Sequence, residues 1–389
     1  MSTVEGVGDQ DGEASQPAKS DNATASERGS SRPVTIRDVA ALSGVSMATV
    51  TRALQGSPRL RPETRERVLE SAKRLGYRPD SIARTLVTGT SGTIGVLIPS
   101  LVEPYWAEIA AAIEQRAAAH RQAVLLASSQ HHPEHEQEML EMLFSKRVDG
   151  IIVGAVSGDP NRWPRSDRRT PIVMIEWDAM PQWDLLEALA EGPLTRRLRD
   201  LPQERVAGDW FAHVSTDDAA GGAQIARHLL DLGHTRFAFL VCPPVRSYLL
   251  RLLGMRITLE EAGLELTTVV ATTDSFEGGH ELATRLLSGS AAPTALVCGS
   301  DAVAVGAIKA AHEMGVHVPA DVSITGYDDI ELAAYVDPPL TTLRNPMREL
   351  GQAALDLLLR GRAGERGPIS HRLTGELRVR DSTGPAPAR

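Results

Sequence analysis

Residues 34–90 read VTIRDVAALSGVSMATVTRALQGSPRLRPETRERVLESAKRLGYRPDSIARTLVTGT and hold three short amphipathic helical patterns, followed by a fourth, isolated one. This stretch contains 10 Lys and Arg against 5 Asp and Glu, whereas the whole chain of 389 residues has a formal net charge of −9. A basic segment on an acidic body indicates a module that approaches a polyanion. On charge alone, a solvated surface is the alternative interpretation.

The first pattern places Ile36, Val39 and Ala40 on one helix face and ends at Gly44, which can adopt the left-handed conformation that terminates helices. The second pattern, 47–54, has one apolar face, and its opposite face carries Met47, Ala48, Thr51 and Arg52. Two short helices joined by a Gly-containing turn predict a helix-turn-helix, with the second helix available for the major groove of DNA.

A third helix begins with Pro62 at its first position, where the missing N–H costs nothing, and it braces the other two. Pro79 then disfavours the helical conformation at Arg78. A new short helix is predicted over 82–87, with Asp80 or Ser81 as its cap. So short a helix is marginal in water, and we expect it to be ordered only when something packs on it. It is a candidate switch between the body and DNA.

Residues 1–33 are polar and are expected to be disordered. The sequence has neither a secretory signal nor an apolar run long enough for a membrane span, so no membrane partner is expected.

Cys242 and Cys298 lie at the ends of predicted buried strands and are interpreted as small buried hydrophobes in a reducing compartment. We therefore expect a cytoplasmic protein.

The body, 91–389, alternates apolar β-branched runs with helical patterns, which predicts parallel sheets covered on both faces. About 300 residues exceed what one such core usually holds, so two α/β lobes are expected. The predicted strands are Ile94–Pro99, Val124–Ser128, Gly150–Gly154, Ile172–Ile175, Phe237–Cys242, Thr268–Ala271, Ala295–Cys298 and Ser323–Gly326.

The stretches VTIRDVAALSGVSMATVTRAL and RPETRERVLESAKRLGYRPDSIARTL resemble the DNA-binding headpiece and hinge helix of the LacI/GalR family of bacterial transcription repressors. The resemblance covers about 33–384 and continues through IGVLIPSLVEPYWAEIAAAIE, KRVDGIIV, STDDAAGGAQIARHLLDLGHTRFAFL, SDAVAVGAIKAAHEMGVHVPADVSITGYDD and PPLTTLRNP. It implies an α/β protein in which a small all-α helix-turn-helix headpiece precedes two doubly wound parallel-sheet lobes of periplasmic-binding-protein type.

The domain boundaries expected from this resemblance are a tail at 1–33, a headpiece at 34–79, a hinge helix and linker at 80–91, an effector-binding and dimerisation domain at 92–384, and a tail at 385–389. We expect the N-lobe to comprise about 92–212 and 328–344, and the C-lobe about 213–327 and 345–384. The chain would cross between the lobes near 213–217, near 319–330 and around Leu340–Asn345.

By resemblance, the start of the second helix faces base edges, and Arg52 can make a bidentate contact to guanine. Met47 and Ala48 offer only apolar contact, while Thr49 and Thr51 suit phosphate or sugar. Leu86 is the family's wedge into the minor groove at the centre of a palindromic operator, bound by a dimer. The expected DNA-binding residues are Thr35, Ser46, Met47, Ala48, Thr49, Thr51, Arg52, Gln55, Thr64, Tyr77, Ala83 and Leu86.

Ligands of open parallel sheets sit beyond the carboxyl ends of the strands. Tyr105 and Trp106 follow the first strand and could stack on a sugar or base, although one of them could simply pack in the lobe. Arg251 and Asp301 match effector-contacting positions of the family and could bracket vicinal hydroxyls. The family often has an aromatic residue at the position of Asp274 and Asn at that of Ser300. The expected effector-binding residues are Tyr105, Trp106, Arg251, Asp274 and Asp301.

The expected effector is a sugar, a sugar derivative or another metabolite, which changes the relative position of the lobes and so the spacing of the paired hinge segments. Residues 179–212 are longer than the family's usual connection and could form a lid, an added dimer contact or an ornament. A homodimer is expected because no heptad repeat follows ELRVRDSTGP.

Enzymatic motifs are weak: no G-x-S-x-G elbow, Walker loop or H-E-x-x-H occurs, and Gly221–Gly222 lacks the dinucleotide fingerprint. His131, His132 and His135 are interpreted as a solvated helix end rather than a metal site. We expect no catalysis, no cofactor and no metal. The sequence thus predicts a ligand-controlled DNA-binding repressor; the alternative is a sugar-binding protein of periplasmic type without a DNA role.

Overall fold

The computed structural model describes residues 34–54, 56–77, 89–154, 163, 170–176, 211–241, 246–266, 268–271, 274–289, 292–365 and 369–388. Several expectations lie outside these residues: the tail 1–33, the hinge helix over 82–87, most of the insertion 179–212, and Cys242. The chain divides into two compact units, an N-terminal headpiece and a larger body, and each is described by itself. Within the described residues, no helix is long and apolar enough to cross a membrane.

The described residues of the headpiece form three helices, α1 (Ile36–Ser43), α2 (Met47–Leu54) and α3 (Pro62–Arg74), as the sequence predicted. The Asp38 carboxylate accepts hydrogen bonds from the N–H and the hydroxyl of Thr35, and this arrangement starts α1. Gly44, at φ 65°, ends α1 in the left-handed conformation. One fully buried valine from each helix, Val39, Val50 and Val68, forms the centre of the core.

The body begins with β1 (Thr93–Ile98), α4 (Pro104–Ala119), β2 (Ala123–Ser128), α5 (Pro133–Ser145), β3 (Ile151–Gly154), β4 (Ile172–Ile175) and β5 (Phe211–Thr216). It continues with α6 (Asp218–Asp231), β6 (Phe237–Val241), α7 (Arg246–Glu261), β7 (Thr268–Ala271), α8 (Phe276–Leu287), β8 (Ala295–Cys298) and α9 (Asp301–Glu313). The last elements are β9 (Ser323–Asp328), a short 3-10 helix (Glu331–Ala334), β10 (Thr341–Arg344), α10 (Met347–Arg362), β11 (Ile369–Leu373) and β12 (Glu376–Arg378).

The strands form two six-stranded sheets, with the orders β11-β5-β4-β3-β1-β2 and β12-β10-β9-β8-β6-β7. Every pairing is parallel except β10 with β12. Most β-branched and leucine residues of the central strands are buried, as expected for parallel strands covered by helices on both faces. The predicted fold class, two doubly wound lobes after an all-α headpiece, is confirmed.

The division of the chain between the lobes differs from the expectation. β9 and β10 are neighbours in the second sheet, so 328–344 belongs to the C-lobe rather than the N-lobe. α10 packs its Leu350, Leu355 and Leu358 into the core of the first sheet, and β11 pairs with β5, so most of 347–373 belongs to the N-lobe. The expected assignment of 345–384 to the C-lobe is therefore wrong for that stretch.

Within the described residues, the chain passes between the sheets at 217, at 345–346 and at 374–375. The expected crossing near 319–330 is wrong, because β9 continues in the second sheet through that stretch. The crossing at 374–375 was not predicted, because β11 and β12 are short and their pairing partners are distant in sequence.

Helices α6 and α7 approach each other closely through two glycines. A side chain on Gly222 would collide with the carbonyl oxygen of Arg251, and one on Gly254 would collide with that of Ala219. The two backbones therefore lie almost in contact. This approach brings Arg251 of α7 beside Asp218, the first residue of α6.

Candidate functional site

One face of α2 presents an exposed surface of the headpiece. Ser46, Met47, Ala48 and Arg52 are exposed, and Met47 retains 46% of its accessible surface. The opposite face carries Val50 and Ala53 into the core. The predicted reading face of α2 is therefore a continuous surface with two apolar side chains and one guanidinium.

The hydroxyls beside this surface already have intramolecular partners. Ser46 Oγ lies 2.9 Å from Thr49 Oγ1 and accepts from the Thr49 N–H. Thr51 Oγ1 donates to the Met47 carbonyl at 3.0 Å. Arg52, in the last turn of α2, is thus the strongest hydrogen-bond donor on the exposed face of the helix.

The other predicted DNA contacts divide into three groups. Thr35 starts α1, and Thr64 lies half-buried in the first turn of α3. Tyr77 packs against the headpiece core. Three further predicted contacts fall outside the described residues: Gln55, Ala83 and Leu86.

In the body, a buried guanidinium lies among residues from the carboxyl ends of several strands. Arg251, only 5% exposed, donates from Nε to Asp218 Oδ1 at 2.8 Å and from Nη1 to the Gly299 carbonyl at 2.6 Å. Its Nη2 lies 3.7 Å from Asp328 Oδ1. The guanidinium carbon is 3.6 Å from the centroid of the Tyr327 ring and 5.0 Å from that of Tyr248.

Glu176 joins this group from the first sheet. Its Oε1 accepts from Tyr105 Oη at 2.9 Å and from Thr216 Oγ1 at 3.1 Å, while no hydrogen bond from the described residues reaches Oε2. The residue has φ 57°, a conformation that costs free energy for a side chain other than glycine. We call Glu176, Asp218 and Asp328 the acid cluster.

The acid cluster is electrostatically strained. Burial raises the pKa of Glu176 to about 8, and the charge of Asp218 acts in the same direction. Burial also raises the pKa of Asp328 to about 6, although Arg251 opposes the shift. Burial raises the pKa of Asp218 as well, although Arg251 again acts to lower it. Three carboxyls thus share one close guanidinium.

Asp328 and Asp329 form a left-handed turn, with φ 108° and φ 59°. Asn345 holds the first residue, since its N–H donates to the Asp328 carbonyl at 3.1 Å and its Nδ2 to Asp328 Oδ1 at 3.2 Å. Arg380 Nη2 donates to Asp329 Oδ1 at 2.6 Å. The turn therefore persists because its surroundings fix it, as is common at functional sites.

Asp301 has a different position from the one expected of a ligand-contacting residue. It is 0% exposed, and its oxygens accept from Thr342 Oγ1 at 2.6 Å and from the Ile330 N–H at 2.8 Å. A side chain on Gly326 would collide with it. The expected pair of Arg251 and Asp301 around vicinal hydroxyls is therefore not observed: Arg251 pairs with Asp218, and Asp301 fixes the end of the Asp328 turn.

Asp274 and Ser300, the two departures from the family pattern, contact each other. Ser300 Oγ donates to Asp274 Oδ1 at 2.5 Å and accepts from the Val303 N–H at 3.3 Å, so Ser300 also caps α9. Tyr248 Oη donates to Asp274 Oδ2 at 2.5 Å. The exposed Asp274 carboxylate is thereby held in one orientation.

The two aromatic residues at the start of α4 have different environments. Their rings meet edge to face, with centroids 5.1 Å apart. Tyr105 reaches the acid cluster through its hydroxyl. Trp106 covers Gly154, since a side chain on Gly154 would collide with its ring. Trp106 thus packs within the first lobe, which was the alternative expected for one of the two.

His131 follows β2, at φ 59°, and its Nε2 lies 2.5 Å from Glu103 Oε1. The hydrogen bond to Glu103 is the main cause that raises the pKa of His131, and the charge of Asp274 adds to it. His132 and His135 stack edge to face at the start of α5. Within the described residues, no group of three metal-ligating side chains occurs.

Three residues of this site were missed by sequence reasoning: Glu176, Asp218 and Asp328. Each lies at or just after the carboxyl end of a parallel strand, β4, β5 or β9. That position was the available signal, and it was applied to Tyr105 and Trp106 but not to these acids. The structure brings Tyr105 and Arg251 together with them, and it holds Asp274 beside Tyr248.

Two protein families match the chain. Bacterial regulatory proteins of the lacI family match residues 35–80, and a periplasmic binding protein-like domain matches residues 226–383. The first match covers the three helices of the headpiece, and the second covers much of the second lobe together with α10 and β11.

Known proteins resemble the chain over most of its length. The HTH-type transcriptional repressor PurR of Haemophilus influenzae is 32% identical over 334 residues, which cover 84% of this chain and 90% of the relative. The ribose operon repressor of the same species is 31% identical over 335 residues, which cover 84% and 91%. The structure of the lac repressor dimer bound to operator and the anti-inducer ONPF has a TM-score of 0.74 and 26% identity, covering 91% of this chain and 100% of that one.

Proposed function

The chain belongs to the lacI family of bacterial regulatory proteins, and on that basis we propose that it is a ligand-responsive transcriptional repressor that binds a palindromic DNA operator as a homodimer. Its place of action is the cytoplasm, where the DNA lies. The relatives compared are transcription repressors, and we assign no catalytic step to the chain.

The observation that carries the DNA role is the exposed face of α2 within a basic segment. Arg52 extends from this surface and is suited to a bidentate contact with guanine O6 and N7. Met47 and Ala48 contact base edges through apolar groups. Ser46, Thr49 and Thr51 lie nearest the sugar-phosphate backbone of the DNA. Leu86 remains the proposed wedge in the minor groove.

The second role, effector binding, belongs to the cluster around Arg251. Tyr105 and Glu176 reach this cluster from the first sheet, whereas Asp218, Arg251 and Asp328 reach it from the second sheet and the first crossing. A ligand at this place contacts both lobes. Asp274 contributes from the loop before α8, and Asp301 acts as a positioning residue for Asp328.

Effector binding is coupled to DNA binding through the segments that connect the two sheets, which among the described residues lie at 217, 345–346 and 374–375. A small ligand that bridges the lobes favours one relative position of the two sheets, and that position sets the spacing of the paired hinge segments. The effector can shift the equilibrium between the two lobe positions only by the difference in its affinity for them. Asn345 lies within a crossing and contacts Asp328, so it links ligand contacts to lobe position.

The test is fluorescence anisotropy with a labelled operator selected from random DNA. We expect salt-dependent, sequence-selective binding by the full-length protein. A thermal-shift screen of sugars and nucleobases, repeated with operator present, then identifies ligands that also change DNA affinity. Failure to select any DNA sequence, together with sugar binding, would favour the alternative of a sugar-binding protein without a DNA role.

A further inference from the structure

We propose that the effector carries a protonated amine among hydroxyl donors, as an amino sugar or amino polyol does, and that Glu176 and Asp274 select it. The proposal rests on the proposed function, because it names the ligand class of that same cleft.

The cleft carries several carboxyl groups close together. Glu176, Asp218, Asp274 and Asp328 influence one another or the same guanidinium through space. Arg251 is the cation near Glu176, Asp218 and Asp328. His131, which lies near Asp274, is already paired with Glu103, and Arg246, in the first turn of α7, has its own partner. Carboxylates removed from water need an opposite charge or a proton. The described site therefore has acceptors in excess of donors.

Arg251 has little donor capacity left for a ligand. Its Nε and Nη1 donate to Asp218 and to the Gly299 carbonyl, and its Nη2 faces Asp328. Its faces are covered by Tyr248 and Tyr327. An anionic ligand would meet several carboxylates and one occupied guanidinium, so sugar phosphates and carboxylates are disfavoured.

An independent observation is a buried acceptor without a donor. The Asn345 side chain is 2% exposed; its Nδ2 donates to Asp328, but its Oδ1 has no hydrogen-bond partner among the described residues. A buried amide oxygen without a partner costs free energy. This amide borders Asp328, so it adds one more acceptor to the surroundings of the acid cluster.

Asp274 adds a charged acceptor at an exposed position. Tyr248 and Ser300 each donate one hydrogen bond to it, which fixes the carboxylate and leaves its remaining lone pairs for a ligand. A carboxylate held in this way accepts from an ammonium or a hydroxyl and offers no stacking surface for a flat nucleobase. The paired change at 274 and 300 is thus a specificity feature of this chain.

Proton linkage supports the same ligand. Burial and Asp218 raise the pKa of Glu176 to about 8, and its other close polar neighbours are Tyr105, Thr216 and Arg251. The unliganded carboxyl therefore binds a proton more readily than an exposed Glu does. An ammonium beside it would favour the charged form, so amine binding releases a proton, whereas a neutral sugar leaves the carboxyl protonated.

The experiment uses the full-length protein and matched probes: the amino sugar, the parent sugar and the sugar 6-phosphate of glucose, galactose and mannose. Thermal shift ranks the nine probes, and calorimetry at pH 7 in two buffers of different ionisation enthalpy measures proton release. We expect an amino sugar to bind about tenfold or more tightly than its parent, with proton release, and the phosphates to bind least.

Glu176→Gln and Asp274→Asn should each remove most of this preference, while Asp231→Asn, at an exposed position at the end of α6, should keep it. The proposal fails if no amine stabilises the protein, if a parent sugar or phosphate binds as tightly, or if both cleft variants keep the preference. Operator binding, measured in parallel, separates this failure from failure of the proposed function, which would show as the absence of DNA binding.

Discussion

Arg251 Nε donates to Asp218 Oδ1 at 2.8 Å, with the Arg251 side chain 6% and the Asp218 side chain 2% exposed. The pair joins α7 to the first residue of α6, where the chain has just crossed from the first sheet. An arginine expected to contact an effector is thus also part of the packing between two helices. Loss of Arg251 should therefore affect both stability and ligand response.

Replacing Arg251 with Ala leaves the buried Asp218 carboxylate without its partner, which typically costs about 3–5 kcal/mol. We expect that loss in urea unfolding of the body, together with loss of the effector response. DNA binding should remain wherever the protein stays folded, because the headpiece has its own core. The control is Arg344→Ala, whose ion pair with Glu349 is about half exposed and should contribute at most about 1 kcal/mol. Equal losses in the two variants would contradict the assignment.

The acid cluster predicts that stability decreases as pH rises. The pKa values of Glu176 and Asp328, about 8 and about 6, lie above those of unfolded Glu and Asp. The native state therefore binds more protons than the unfolded state between pH 5 and pH 8, and the unfolding free energy falls across that range. Glu176→Gln should flatten the decrease between pH 6 and pH 8 in melting experiments, and the exposed Glu138→Gln should not. An unchanged slope in Glu176→Gln would exclude this carboxyl as the cause.

Arg52→Ala should weaken operator binding and relax discrimination at one guanine. A good bidentate contact contributes about 1–3 kcal/mol of base discrimination, which corresponds to about 5–150-fold in affinity. Anisotropy titrations with the selected operator and with single-base variants measure both effects. Arg285→Ala removes the same charge from an exposed position on α8 and should leave DNA affinity unchanged. A uniform loss over all base variants would instead identify Arg52 as a phosphate contact.

Asp301→Asn tests whether this residue positions the Asp328 turn. The amide nitrogen would face either the Thr342 hydroxyl or the Ile330 N–H, so a buried donor loses its acceptor, at a cost of about 1–3 kcal/mol. Effector affinity should fall, while the relative preference among ligands should be kept because Asp301 touches none of them. Asp328→Asn, in contrast, should change the preference itself. A changed preference in Asp301→Asn would restore Asp301 as a direct ligand contact.

The headpiece and the eight predicted strands could be read from the sequence because each has a local pattern. β10 and β11 could not. In β10, Thr341 and Thr342 are fully buried polar residues whose hydroxyls bond to Arg380 and Asp301, which lie far away in the chain. β11, with largely exposed side chains, is an edge strand whose partner β5 precedes it by more than 150 residues. The lobe boundaries depend on these strands.

Distant contacts also explain why Asp301 was expected beside Arg251, where the structure places Asp328. Both acids follow strands of the second sheet, and local sequence does not distinguish the buried one from the one beside Arg251. The difference is tertiary: Gly326 leaves room for Asp301, and Thr342 supplies its donor, whereas Asn345 orients Asp328. Resemblance to the family singled out Arg251 and Asp274 as expected effector contacts, because each occupies a single recognisable position in the sequence. It could not place the partners that those positions contact.

Gly222 tests the link between helix packing and the ligand site. Gly221–Gly222 has no nucleotide-binding fingerprint, and the structure gives Gly222 a packing role, because the Arg251 carbonyl occupies the space of a side chain. Gly222→Ala must push α7 away from α6 and so separate Arg251 from Asp218. We expect a loss of about 1–3 kcal/mol in urea unfolding, typical of overpacking, and a weakened effector response. Gly289→Ala is the matched control, because its new methyl would lie 3.6 Å from the Leu286 carbonyl, an ordinary contact. If Gly222→Ala keeps the parent stability but loses the response, the helix spacing serves ligand binding alone; if it keeps both, the close approach is not required for either.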